Sequence, residues 1–280
     1  MNSDTTSVIS DSLGLTKASD SGSDWIMHHI LDGNYLDFSP FGKIYLPHIE
    51  IFGLDISITR HVIFLWLVAV LTIIVFSRIA KKYKKDVVPR GMTNLFEVLI
   101  IFVRDEIAIP NIGKGYEKFL PYLLTTFFFI LFSNFIGLIP YSATITSNIS
   151  ITAVLAIFSF LAVQIGGVRK NGFFGYFKGL IPHGVPGFIL PIMGIVEILG
   201  LFTKPFALAI RLFANMTAGH IVIYALISLI FVMQSVYISP VSIGMALFIY
   251  FLEILVALLQ AYIFTMLSSL FIGMAVHQDH

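Results

Sequence analysis

The chain has 280 residues, 57% hydrophobic and 12% charged, with a mean hydropathy of +0.91, against roughly 45–50% apolar and about 25% charged for an ordinary soluble domain. That excludes a water-soluble globular fold and leaves an all-α polytopic membrane protein as the expectation; the absence of cysteine also excludes disulfides, thiolate catalysis and cysteine-bound metal. The net charge of +1 says less than its distribution: nine of the 17 Lys and Arg lie between Arg78 and Lys118, whereas the first 55 residues hold eight of the 16 acids and two lysines.

Residues 1–55 are Ser/Asp-rich and then Gly/Pro/aromatic, which reads as an extracytoplasmic arm followed by a short ordered segment with a hairpin around Asp32 to Leu46. No basic stretch precedes an apolar one there, so no cleavable signal peptide is visible in this segment. The remainder, 56–280, reads as the membrane domain. Its first span is 59–79, followed by Lys81-Lys82-Tyr83-Lys84-Lys85, which the positive-inside rule assigns to the cytoplasm, with the amino terminus outside. Residues 89–110 alternate Leu95, Phe96, Val98, Leu99, Phe102, Val103 and Ile107 with Asn94, Glu97, Arg104, Asp105 and Glu106, the pattern of an amphipathic helix on the cytoplasmic face.

Spans at 119–139 and 149–168 follow, and their basic flanks at Lys114/Lys118 and Arg169/Lys170/Lys178 both fall on the cytoplasmic side. A Gly/Pro-rich connector over 171–186 leads into two long helical stretches, 187–234 and 241–276, joined near Ser235 to Pro240 as an antiparallel hairpin ending in the cytoplasm. At 1.5 Å per residue they reach about 70 and 54 Å, so each must tilt strongly or break in a core about 30 Å thick. Pro205, Gly194 and Gly200 are the break points on offer in the first.

After Lys178 the only formal charges before Asp279 are Glu197, Lys204, Arg211 and Glu253. An arginine at bilayer depth costs a few kcal/mol even on lenient insertion scales, and intramembrane charges mark ion paths by default. Glu197, Lys204 and Arg211 are seven apart and share one helix face, joined by Asn215 at i+4 from Arg211; Glu253 and Gln260 are also seven apart. A hairpin placing Arg211 opposite Gln260 is centred near 235.5, and one placing His220 opposite Glu253 near 236.5, both in the expected turn. Histidine titrates near neutrality and suits a proton relay with a carboxylate, whereas arginine cannot deprotonate.

Blander readings exist: Lys204 snorkelling, and Asn215 and Gln260 acting as helix–helix glue. Arg211 resists such a reading. His28, His29, His48 and His61 have no metal-site spacing, and no phosphate-binding loop, serine elbow or zinc-protease motif occurs, so no metal, no cofactor and no self-contained catalytic site, including one for ATP, is expected.

Arg211-Leu212-Phe213-Ala214-Asn215-Met216 with Ala218-Gly219-His220 resembles the central signature of subunit a of the rotary F-type ATP synthase. Ser133-Asn134-Phe135-Ile136-Gly137-Leu138-Ile139-Pro140, Phe102-Val103-Arg104-Asp105-Glu106-Ile107 and Gln260-Ala261-Tyr262-Ile263-Phe264 are similar to other elements of that family. The resemblance covers about residues 40–276. It implies that Arg211 faces the carboxylates of a ring of c subunits and prevents proton short-circuiting, with Asn215 and Gln260 beside it. It further implies that His220 and Glu253 line a half-channel open to the outside and that Glu197 belongs to a half-channel to the cytoplasm; Lys204, on the face of Glu197 and Arg211, is a candidate auxiliary residue outside that resemblance. In enterobacterial members the acid and histidine occupy exchanged positions; the arrangement here is similar to that of mitochondrial subunits. The implied partners are the c ring, the peripheral-stalk b subunit and the other synthase subunits, in a bacterial inner membrane. The His/Glu pair favours H⁺ over Na⁺. A secondary proton-coupled transporter is the competing class, but it predicts inverted repeats with paired broken helices, and none is visible; a scaffold without transport has no use for Arg211.

Overall fold

The computed structural model describes residues 35–37, 43–45, 47, 50–51, 54–55, 57–83, 91–139, 142, 144–179, 190–233, 237 and 239–277. Among the described residues the elements are helical apart from two short antiparallel hairpins, β1 (Tyr35–Asp37) with β2 (Lys43–Tyr45) and β3 (Glu50–Ile51) with β4 (Leu54–Asp55). In the first, Tyr35 is opposite Tyr45 and Asp37 opposite Lys43, inside the segment where the sequence suggests a hairpin; the second has only two residue pairs, too short for an alternating pattern. Of the histidines weighed for metal binding, His28, His29 and His48 lie outside the described residues.

Among the described residues, five helices are long and apolar enough to cross a membrane: α1 (Arg60–Tyr83), α4 (Leu120–Gly137), α5 (Ile149–Asn171), α7 (Leu190–Met233) and α8 (Ser239–Val276). Between the first two lie α2 (Met92–Phe102), a π-helical segment (Val103–Ala108) and α3 (Ile109–Ile112); α6 (Phe173–Gly179) follows α5. Local chemistry sets the ends. Asn148 caps α5 by accepting from the Ser150 amide at 2.9 Å, and Arg169 and Lys170 occupy its last turn, where cations complement the helix dipole. The helix stops at Gly172, whose φ of 72° suits glycine in a C-terminal cap. Helix α1 runs four residues past the expected span, through Lys81 and Lys82, because long basic side chains can stay helical while reaching for water. Helix α7 is continuous over 44 residues with Pro205 inside it, so the glycines and proline do not break it; membrane helices tolerate proline where neighbouring groups satisfy the freed carbonyl. At about 66 and 57 Å, α7 and α8 are too long to stand upright in a bilayer core.

The chain divides into two compact units, one of residues 61–213 and 257–280, the other of residues 1–60 and 214–256. The core of the larger unit holds Val103, Ile107, Ile112, Leu123, Phe127, Phe128, Leu208, Leu212, Phe264 and Ile272. Phe76 meets Phe128 edge-on with ring centroids 4.8 Å apart and Phe96 at 6.1 Å, geometry that aromatic quadrupoles favour. The π-helical segment and α8 are tied by polar contacts: the Ile107 carbonyl accepts from Ser269 Oγ at 3.1 Å and Asn111 Nδ2 at 2.8 Å, and the Ile112 carbonyl accepts from His277 Nε2 at 2.7 Å. A second buried set joins Thr146 Oγ1 to Asn134 Oδ1 at 2.7 Å and Asn134 Nδ2 to the Ala257 carbonyl at 3.3 Å, satisfying an amide buried to 0% exposure. In the smaller unit, the end of α7 and the start of α8 run antiparallel, with Ser242 Oγ donating to the Leu226 carbonyl.

Candidate functional site

In the smaller unit the structure brings His220 and Glu253 together. His220 Nε2 lies 3.6 Å from Glu253 Oε1, ion-pair range but longer than a hydrogen bond, so the antiparallel register centred near 236.5 is the one adopted. Glu253 is 4% exposed, and neither of its carboxylate oxygens has a hydrogen-bond partner among the described residues. Gly219 explains how the acid fits: a Cβ there would sit 2.6 Å from Glu253 Oε1 and 3.0 Å from Cδ, so the carboxylate uses the space that a side chain would fill. The His220 ring stacks on Tyr224 one turn further along, centroids 6.2 Å apart. A buried acid against an imidazole is a pair through which one proton can pass. Asn215, in this unit, is exposed.

In the larger unit, α7 buries Leu208 and Leu212 to 2% and 0% and exposes Ala207 and Arg211. Arg211 lines a cleft of about 290 Å³ with Lys204, Leu208, Leu267 and Phe271. Its guanidinium makes no hydrogen bond or ion pair among the described residues. Gln260 is turned into the packed interior at 2% exposure, while Arg211 is exposed; burying the amide and leaving the permanent cation exposed avoids desolvating the costlier group. Lys204 Nζ sits 5.4 Å from the Phe271 ring centroid, a cation–π placement.

Glu197 and Lys204 line a separate cavity of about 290 Å³ together with Gln164, Tyr176 and His277. Tyr176 is 1% exposed, and burial pushes its phenol above the ordinary tyrosine range, with Gln164 partly opposing the shift. Sequence reasoning missed Gln164, Tyr176 and the role of Gly219. An isolated Gln in a span was the available signal for the first, and the small pair Ala218-Gly219 before His220 for the last, since small residues mark close helix approach. On the amphipathic segment, Arg104 Nε and Asp105 Oδ1 pair at 2.6 Å; the hydrogen bond holds the Asp105 carboxyl below its usual range and the Arg104 guanidinium above.

Residues 62–273 match the profile of the family described as ATP synthase A chain. The chain is 56% identical over 258 residues to ATP synthase subunit a of Chloroherpeton thalassium, covering 91% of this chain and 77% of that one. It is 51% identical over 262 residues to that of Chlorobium phaeobacteroides, covering 92% and 77%. To the subunit a of an Anaeromyxobacter species it is 45% identical over 292 residues, covering 91% and 71%. With the profile spanning most of the chain and relatives above 50% identity along nearly all of it, this multi-pass membrane protein belongs to the ATP synthase subunit a family.

Proposed function

We propose that this chain is the stator of a rotary ATP synthase in a bacterial inner membrane, working against a ring of c subunits and held by a peripheral-stalk b subunit. The observation that carries the proposal is Arg211. It is a permanent cation on an apolar helix, exposed and without a partner among the described residues, next to a residue as small as Ala207. Small residues let another helix approach closely, and the charge calls for an anion supplied by that helix. A carboxylate about 4 Å away gains about 4 kcal/mol at an effective dielectric near 20, which holds it deprotonated.

The cycle follows from electrostatics. A proton enters from outside through His220 and Glu253 and neutralises a ring carboxylate. The neutral acid turns into lipid at far lower cost than the ion. After nearly a full revolution it releases the proton toward Glu197 and the cytoplasm. Arg211, flanked in sequence by Asn215, stands between the two half-channels and blocks direct flow, because it cannot carry a proton itself. Gln260 supports the adjoining helix, and no cofactor is needed. The His/Glu pair favours H⁺ as the coupling ion.

Proton-driven ATP synthesis and passive proton leak in membrane vesicles test this reading. Arg211→Ala is expected to abolish synthesis with the complex assembled, and the exchange His220→Glu with Glu253→His to retain most of it. Normal synthesis in assembled Arg211→Ala would make the arginine structural and refute the mechanism.

A further inference from the structure

The cavity holding Glu197 carries a feature the stator reading does not use. Gln164, on α5, lines it, and its Nε2 is buried with no hydrogen-bond partner of ordinary geometry among the described residues, although it lies near enough to the Tyr176 phenol to oppose part of that group's shift. An unsatisfied buried donor costs free energy comparable to a lost hydrogen bond, so a native protein places one where water or a solute satisfies it. The volume of about 290 Å³ far exceeds the roughly 10–15 Å³ that admits one water. Polar lining comes from four directions: Gln164 from α5, Tyr176 from α6, Glu197 from α7, and His277 just past α8. Pro205 and Leu201 also line it; proline has no N–H, which deprives the Leu201 carbonyl of its helical donor and adds an acceptor. Lys204, Leu208 and Phe271 line both this cavity and the Arg211 cleft, so Lys204 seated on Phe271 forms the wall between them.

Resting on the half-channel reading above, we infer that Gln164 is a positioning residue that orders the water through which Glu197 exchanges protons with the solvent, the Lys204–Phe271 contact closing the inner end of that space. Gln164 moves no proton itself. Its amide donates to a water that would otherwise be free to point its own hydrogens away from the carboxylate. Protons pass along that water by rearrangement of hydrogen bonds.

The test uses the assembled synthase in native membrane vesicles. Gln164→Leu keeps the approximate volume and removes the amide; Gln164→Asn restores it one methylene shorter. The chain has no cysteine, so Gln164→Cys places a thiol where silver ion reports water access. The expected results are proton flow about tenfold lower in Gln164→Leu, the kinetic equivalent of about one hydrogen bond, largely recovered in Gln164→Asn, and silver inhibition of Gln164→Cys but not of the parent. Normal flow in assembled Gln164→Leu, with Glu197→Gln impaired, overturns the inference alone. Silver insensitivity of Gln164→Cys beside a sensitive Glu197→Cys does the same, and it decides the matter even where the leucine variant does not assemble. Unchanged flow in Glu197→Gln overturns the half-channel reading and this inference together.

Discussion

Replacing Gly273 by alanine examines how α8 is seated. Gly273 faces the backbone at α3: a Cβ there would collide with the Asn111 carbonyl oxygen, and lie 2.9 Å from its carbon and 3.5 Å from Ile112 Cα. Backbone cannot rotate away as a side chain does, so the helix has to move by at least about 0.5 Å, the shortfall from the 3.4 Å at which ordinary contact begins. That displacement takes the 3.1 Å Ser269–Ile107 bond out of ordinary range and loosens the 2.7 Å His277–Ile112 bond. Overpacking costs about 1–3 kcal/mol, and each weakened bond contributes up to about 1–1.5 kcal/mol. Alanine's better helix propensity returns about 1 kcal/mol. The net expectation is a loss of about 2–4 kcal/mol, read as a lower temperature at which the subunit leaves the detergent-solubilised complex. Ser269→Ala, which removes one bond and adds no atoms, is expected to cost about 1 kcal/mol. If Gly273→Ala is as stable as the parent, or milder than Ser269→Ala, then α8 does not sit against that backbone and the packing argument fails.

Three further outcomes are expected. Gly219→Ala puts a methyl group 2.6 Å from Glu253 Oε1, too close for the carboxylate to stay in place, so it should slow proton-driven ATP synthesis about tenfold or more by separating the acid from His220, with assembly retained; an unchanged rate would show that the pair need not be in contact. Asn134→Leu leaves Thr146 Oγ1 and the Ala257 carbonyl, both bonded to Asn134, without that partner, and should destabilise the assembled subunit by about 1–3 kcal/mol per group left unsatisfied, measured by the same thermal release. Arg104→Ala is expected to change thermal release negligibly near neutral pH, because the pair is exposed at 43% and 40% and such pairs are screened. Its small effect has a definite sign: the folded Asp105 carboxyl is depressed, so the pair's contribution is present above the unfolded aspartate range and is lost as pH falls through the folded value. A large effect of Arg104→Ala at neutral pH would show that this pair is covered in the complex.

Helical period alone made the spacing of Glu197, Lys204 and Arg211 readable, and counting residues from a turn made the His220–Glu253 pairing readable. Both depend only on regular geometry within one helix or one hairpin. Gln164, Gly219 and Gly273 were out of reach for a different reason. What matters about each is which atoms of a distant segment come within a few ångströms, and no local pattern encodes that. The π-helical segment is a similar case: Val103 to Ala108 looks like ordinary amphipathic helix in sequence, and its distinct feature is the Ile107 carbonyl that also accepts from Ser269, 162 residues away. For Gln260 the helix face and the register were readable, while its burial to 2% exposure was set by packing that no local pattern encodes.

Because α7 passes Pro205 without a break, the interval from Glu197 to Arg211 is a length of covalent scaffold. Fourteen residues of unbroken helix separate them by about 21 Å and nearly four turns, and no loop is available between them to absorb a change in count. Substitutions along this stretch alter chemistry one side chain at a time. Inserting or deleting a single residue instead turns everything beyond it by about 100°, swinging Arg211 away from its face while its composition stays the same. The helix therefore works as a ruler: its graduations are residue numbers, and it tolerates new lettering far better than a changed scale.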